Sequence, residues 1–258
     1  MKDVQKRKDK RGLSIDKVGV KGLEYPIIVL DKEKDRQPTV ASINMYVELP
    51  QQFKGTHMSR FIEILNQYKG EITLYNMGKI LDDMLKKLEA ETAHIEISFK
   101  YFIQKKAPIS KIKSLMGYGC KFIGEKGINH EDYLLEVTVP LITLCPCSKE
   151  ISDFGAHNQR SFARIRVRTL ELVWIEDLIE VAEKSASAAI YPLLKRADEK
   201  HITERAYENP VFIEDLVRNI AEKMISDKRI IWFSIEGESL ESIHNHNAYA
   251  YIERDKYL

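Results

Sequence analysis

The chain has 258 residues with 40 Lys and Arg against 39 Asp and Glu, a formal net charge of +1, so no global field recruits nucleic acid or an anionic membrane. A hydrophobic content of 44% excludes a disordered chain, and no stretch approaches the roughly twenty apolar residues that cross a bilayer. An N-terminus without the apolar core of a signal peptide, and only 3 cysteines, predict a cytoplasmic globular protein with no nucleic-acid or membrane partner and no disulfide framework.

Residues 1 to about 15 carry the charge-mixed run KRKDKR and predict a solvated tail, and residues 1–25 are set apart as an N-terminal arm. From Pro38 the alternation in TVASINMYVELP predicts a strand with one buried face. HMSRFIEILNQY (57–68) reads as a short amphipathic helix, and LYNMGKILDDMLKKLEAETA (74–93) as a second, with Asn76 as its candidate N-cap. Strands follow at 94–108, 119–127 and 132–144. Beyond them the pattern predicts a strand at 161–172, helices at 174–194 and 209–225, and strands at 229–238 and 247–255. The charge-dense run 195–210 between the helices reads as a solvated connector. Strand, helix, helix, strand, strand thus occurs twice, which predicts an α+β fold of two similar modules, 26–150 and 151–258, each an antiparallel sheet with a helix pair on one face.

Chemistry concentrates in LCPCSKEISDFGAHNQRSF, residues 144–162. Pro146 interrupts the strand ladder between Cys145 and Cys147, and Gly155 fits a turn before His157. Two cysteines in a chain are most often buried filler. A thiolate with an imidazole ten residues away is also a zinc-compatible pair, and the absence of a second close pair points to an open, catalytic site rather than a closed structural one. The nucleoside-deaminase signature, His-x-Glu followed by Pro-Cys-x-x-Cys, is not met, because the order is inverted and the second cysteine is missing.

Three further clusters are candidates to complete a site. Asp198, Glu199 and Glu208 lie in the charged connector and offer carboxylates. Glu241, His244 and His246, just before the last strand, are candidate acid–base groups. Lys54, His57 and Arg60 gather at a helix start, where free N–H groups favour an anion, and Arg164, Arg166 and Arg168 alternate along a strand. The plain alternatives are a solvated connector, structural histidines, a capped helix and a solvent-facing strand.

Four of these stretches, PCSKEISDFGAHNQRS, KGTHMSRF, DEKHITERAYENPVFIEDLVR and ESIHNHNAYAYIE, together resemble the GTP cyclohydrolase IB family, in order and across nearly the whole chain after the tail. The resemblance implies a tunnelling fold with two modules in tandem, and a homotetramer with active sites at subunit interfaces. It implies hydrolysis of GTP at C8 to 7,8-dihydroneopterin triphosphate and formate. It also implies a divalent metal (Zn, Mn or Fe) on Cys147, His157 and Glu199, with Cys145 as the alternative thiol. Glu214 matches the glutamate that anchors the heterocycle in such folds, accepting two parallel donors from the guanine edge. Lys54, His57 and Arg60 become candidates for the triphosphate, and Glu241 and His244 for proton transfer. Two other readings compete: a nitrile reductase of the same fold with Cys147 as nucleophile, and a non-catalytic zinc-stabilised binding module.

Overall fold

The computed structural model describes Gln5 and residues 7–68 and 70–256. Its strands hydrogen-bond in the order β1-β2-β3-β4-β5-β6-β8-β9, with the two-residue β7 on β5; the ranges follow below. The chain forms two compact units, residues 1–100 with 120–135, and residues 101–119 with 136–258.

In the first unit, β1 (Ile15–Asp31) and β2 (Asp35–Leu49) form an antiparallel hairpin closed by Asp31, whose carboxylate accepts from the N–H groups of Glu33 at 3.0 Å and Lys34 at 2.8 Å. Alternation places Ala41, Ile43, Met45 and Val47 of β2 in the core, as read. α1 (Met58–Gln67) and α2 (Met77–Leu88) bury Phe61, Ile64 and Leu65, and Ile80, Leu81 and Met84, respectively. The close approach of α2 to β4 (Lys113–Lys126) requires Gly124, since a Cβ there would sit 2.4 Å from the Met77 sulfur. Asn76 occupies the N-cap position of α2, but its side chain closes the preceding turn instead, accepting from Thr73 N–H at 2.9 Å and donating to Glu71 O at 2.6 Å.

The expected N-terminal tail lies partly outside the described residues, namely at 1–4 and 6. Residues 7–14 are mostly exposed, Lys54 N–H donates to the carbonyls of Gln5 (3.1 Å) and Arg7 (3.0 Å), and β1 begins at Ile15.

The second unit holds the outer parts of β3 (Ala93–Lys106) and β4, most of β5 (Glu131–Leu144), and β6 (Asn158–Thr169), β8 (Ile230–Ser239) and β9 (Ala248–Asp255). β6, β8 and β9 pair antiparallel, with Ile165 opposite Ile235 and Ile235 opposite Ile252. α4 (Ile175–Ser185) and α6 (Ile213–Ser226) bury Leu178, Ala182, Leu216 and Ile220. In chain order the described elements run strand, strand, helix, helix, strand, strand twice, with α3 (Pro146–Ile151), β7 (Ala188–Ala189) and α5 (Arg196–Glu208) added to the second occurrence.

Two readings of this region are corrected. The helix expected to reach residue 194 ends at Ser185, because Ala186, Ser187 and Ala188 are drawn into the core and pair elsewhere: Ser187 Oγ accepts from Leu144 N–H at 3.0 Å, and Ala189 lies opposite Leu141. Tertiary bonds override alanine's helix preference there. The expected connector 195–210 is instead the helix α5, which buries Asp198, Ile202 and Ala206.

Candidate active site

β5 ends at Leu144, and Pro146, with no N–H to lose, starts the short helix α3. Cys145 caps that helix, its sulfur accepting from Ser148 N–H at 3.4 Å, and its own N–H donates to His157 O at 3.1 Å. His157 N–H in turn donates to Ser148 Oγ at 3.2 Å. The cysteine turn and the start of β6 are therefore laced together. Gly155, at φ +135, supplies the bend between them.

His157 is the centre of the arrangement. Its Nδ1 lies 2.9 Å from Gln159 Oε1 and 3.8 Å from Glu241 Oε2, and its side chain is only 12% exposed. Gln159 Nε2 donates to Glu241 Oε1 and to Thr143 Oγ1, both at 3.3 Å, which turns the amide oxygen toward the imidazole. An accepting oxygen requires the proton on Nδ1. Nε2 then keeps its lone pair, the arrangement found in metal-binding histidines whose second nitrogen is held by a carbonyl or carboxylate. Beneath them Thr143, Ser161 and Ser239 form a buried hydroxyl cluster, with separations of 2.5, 3.1 and 3.1 Å.

Cys145, Cys147, His157 and Glu241 thus share one end of the second unit, and Cys147 is exposed on α3. Cys120 is buried in β4 and belongs to the core. Glu199 is exposed in the first turn of α5, and α3 meets the last turn of that helix, where Lys149 Nζ donates to Tyr207 O at 2.5 Å. Among the described residues, no three His, Cys, Asp or Glu side chains converge as a metal site. The thiol and the oriented imidazole are donor types that fit a borderline-soft divalent ion.

Glu214 is exposed in the first turn of α6, beside an Asp215–Arg218 pair at 3.0 Å. His244 and His246 are exposed and stack on each other with ring centres 5.0 Å apart. Of the strand arginines, Arg164 pairs with Glu236 and Arg166 with Glu136, both at 2.6 Å, and Arg168 stacks 4.0 Å over Trp232. In the first unit, Lys54 is exposed, while His57 and Arg60 line a small cleft with Gly55 and Thr56. Arg60 donates to Lys87 O at 2.6 Å, closing the C-terminal end of α2. Sequence reading missed Gln159; its position two residues beyond His157, on the same face of an extended segment, was the available signal.

The fold sets the class. Uricase from Arthrobacter globiformis matches 93% of this chain and 92% of its own, at a TM-score of 0.51 and 6% identity. Urate oxidase from Bacillus sp. TB-90 matches 93% of this chain and 100% of its own, at 0.52 and 9%. At such identities the likeness concerns architecture alone, and it makes this a tunnelling-fold protein of two tandem modules.

Sequence carries it further. Residues 1–250 match the family described as type I GTP cyclohydrolase folE2. GTP cyclohydrolase FolE2 of Geotalea uraniireducens is 58% identical over 256 residues, covering 99% of this chain and 94% of that protein. That of Syntrophus aciditrophicus is 55% identical over 255 residues, covering 99% and 100%, and that of Thermosipho africanus is 54% identical over 255 residues. The chain belongs to the type I GTP cyclohydrolase FolE2 family. No helix among the described residues is long and apolar enough to cross a membrane.

Proposed function

We propose that this chain is a GTP cyclohydrolase, opening guanine at C8 and reclosing the ring to give 7,8-dihydroneopterin triphosphate and formate. Two waters enter during ring opening and deformylation, and one leaves at ring closure. The observation that carries the site is the Cys145–Cys147 turn held against an imidazole whose Nδ1 is fixed by Gln159, with Glu241 beside it.

Cys147, the exposed thiol of the turn, and His157 Nε2 would hold a divalent ion, with Cys145 shaping the turn. When bound, such an ion supplies an activated water by lowering its pKa from about 15.7 to about 7. Zn²⁺, Mn²⁺ and Fe²⁺ all suit a thiolate, imidazole and carboxylate set. Glu199 is the third ligand. Because no three ligating side chains converge among the described residues of one chain, the complete shell fits a site shared between copies of the chain in a homotetramer. Ile151, Phe154 and Ile243, at 83%, 100% and 65% exposure near the turn and the Glu241 loop, suit coverage by a second copy.

Glu214 accepts from guanine N1–H and the 2-amino group. Glu241 and His244 carry protons to the departing ring nitrogens, Glu241 from within reach of His157 and His244 from the exposed loop that follows. Lys54 and His57 serve the triphosphate; Arg60, already bonded to the end of α2, contributes charge rather than a free donor set. A biosynthetic enzyme with this substrate works in the cytoplasm.

The test is to incubate metal-stripped protein with GTP, alone and with Mn²⁺ or Zn²⁺, and to follow formate and pterin absorbance. Metal-dependent appearance of both is expected. Folded, metal-loaded protein that makes neither would overturn the proposal.

A further inference from the structure

α5 is a helix with little apolar surface. Its buried residues, Asp198, Ile202 and Ala206, recur every fourth position and form one stripe. Ile202 and Ala206 pack with Ala188, Ile142, Tyr191 and Leu194. The N-terminal position of the stripe is a carboxylate, 0% exposed.

That carboxylate is fully used. Asp198 Oδ1 accepts from the N–H groups of Ile109 and Ser110, both at 2.8 Å. Oδ2 accepts from Ser110 Oγ at 2.6 Å and from Lys195 N–H at 2.9 Å. Four donors, the Ser110 hydroxyl and three N–H groups, thus share its two oxygens. Ile109 and Ser110 form the tip of the β3–β4 hairpin, which closes on itself through Ala107 N–H to Ile112 O at 2.9 Å. The tip is thus a preformed receptor for one carboxylate.

Glu199 follows directly, one residue around the helix from this stripe. Apolar packing fixes the later turns of α5, whereas the first turn, which carries Glu199, is fixed in rotation by Asp198. We propose that Asp198 is a positioning residue: by locking the first turn of α5 to the β3–β4 tip, it sets the direction in which Glu199 presents its carboxylate to the metal. This rests on the reading of Glu199 as a ligand, whichever copy's site it completes.

The experiment measures Zn²⁺ affinity of the full-length protein by competition with a chromophoric chelator, together with the melting temperature of the metal-free form. Glu199→Gln tests the ligand. Asp198→Asn tests the lock, since one of the two receptor positions must then face an N–H with an N–H. Ser110→Ala removes one of the four bonds to Asp198, together with the 3.4 Å bond from Ile112 N–H to Ser110 Oγ, and serves if Asp198→Asn does not fold. Arg229→Gln is the control, because it weakens the bonds of Arg229 to Asp227 at 2.6 Å and to Leu172 O at 3.0 Å, neither of which involves α5. The expected result is an affinity loss of about 10–100-fold for Asp198→Asn and a smaller loss for Ser110→Ala. The control should melt earlier with affinity unchanged. If Glu199→Gln binds Zn²⁺ like the unmodified protein, the ligand reading and this proposal both fall. If Glu199→Gln is weakened while Ser110→Ala and any folded Asp198→Asn bind normally, the lock alone is refuted.

Discussion

Replacing Gln159 with Leu keeps the approximate volume of the side chain but removes the hydrogen bond that aims His157. Three hydrogen bonds disappear, at 2.9, 3.3 and 3.3 Å. Thr143 keeps its hydroxyl partners Ser161 and Ser239, and Glu241 is 14% exposed and reaches water, so the buried imidazole N–H is the group left wanting. An orphaned buried donor costs about 1–3 kcal/mol. Losing the partner that fixes a ligating histidine weakens metal binding by about 10–100-fold. At a metal concentration of roughly 1,000 times Kd, bound metal stabilises the native state by about 4.1 kcal/mol, and the variant would keep about 2.7 to 1.4 of that. For a chain of this size the metal-induced rise in melting temperature should shrink by roughly 3–11 °C. The assay is thermal unfolding with chelator and with added Zn²⁺ or Mn²⁺. Equal metal-induced shifts in the two proteins would refute the claim that Gln159 aims His157. One local rescue is visible: Glu241 Oε2, 3.8 Å from Nδ1, can swing in as acceptor. A Gln159→Leu, Glu241→Leu double variant removes that acceptor and should lose more affinity than the single changes combined.

Cys147→Ala should abolish both turnover and the metal-induced melting shift, whereas Cys145→Ala, which loses a helix cap, should cost about 0.5–2 kcal/mol of stability and retain metal; the opposite pattern would exchange the roles of the two thiols. Glu214→Gln turns a donor toward guanine where an acceptor is required, and kcat/KM for GTP should fall about 10–100-fold, matching a charged hydrogen bond of roughly 1.5–3 kcal/mol; unchanged kinetics would remove Glu214 from the purine site. His94 gives a pH dependence. Burial holds its imidazole below the ordinary value despite Glu125 at 3.0 Å, with Lys17 and His130 also opposing its charge. The folded state then binds fewer protons than the unfolded one, so this contribution is present above about pH 6.5 and is lost as pH falls toward the folded value. Melting temperature should drop between pH 7.5 and 5.5, and drop less in His94→Asn; identical slopes would show that His94 does not carry the effect.

The sequence made most of this fold legible where burial follows a simple period. β2 and β6 alternate, and α1, α2 and α6 each bury one stripe. β1 escaped because its pattern is broken: Gly19, Gly22 and Pro26 interrupt it, and its register slips twice against β2. Gly19 is required there, since a Cβ would lie 1.9 Å from Met45 O. α5 escaped for a different reason, because one of its three buried positions is an aspartate, so a stripe reader sees only charge. The metal-binding residue types at the site were readable as types. Gln159 and Asp198 were not, because an amide or a carboxylate acquires a positioning role only through partners brought in from distant parts of the chain.

The geometry of the site follows from one buried polar feature. Thr143, Ser161 and Ser239 stand near the ends of β5, β6 and β8, and are 2%, 0% and 1% exposed. A hydroxyl both donates and accepts, so three of them can satisfy one another where three apolar side chains would leave no directional bond. Four residues of the site hang from this cluster by short steps along the chain: Cys145 is two residues beyond Thr143, Glu241 two beyond Ser239, Gln159 two before Ser161, and His157 two before Gln159. Extended segments repeat their facing every second residue. The register that aligns the three hydroxyls therefore also turns the thiol segment, the amide, the imidazole and the carboxylate toward one place, and a one-residue slip in any of these strands would turn its contribution away. Gln159 Nε2, donating to Thr143 Oγ1 at 3.3 Å, joins the two layers directly. The hydroxyl cluster is thus what converts strand register into site geometry.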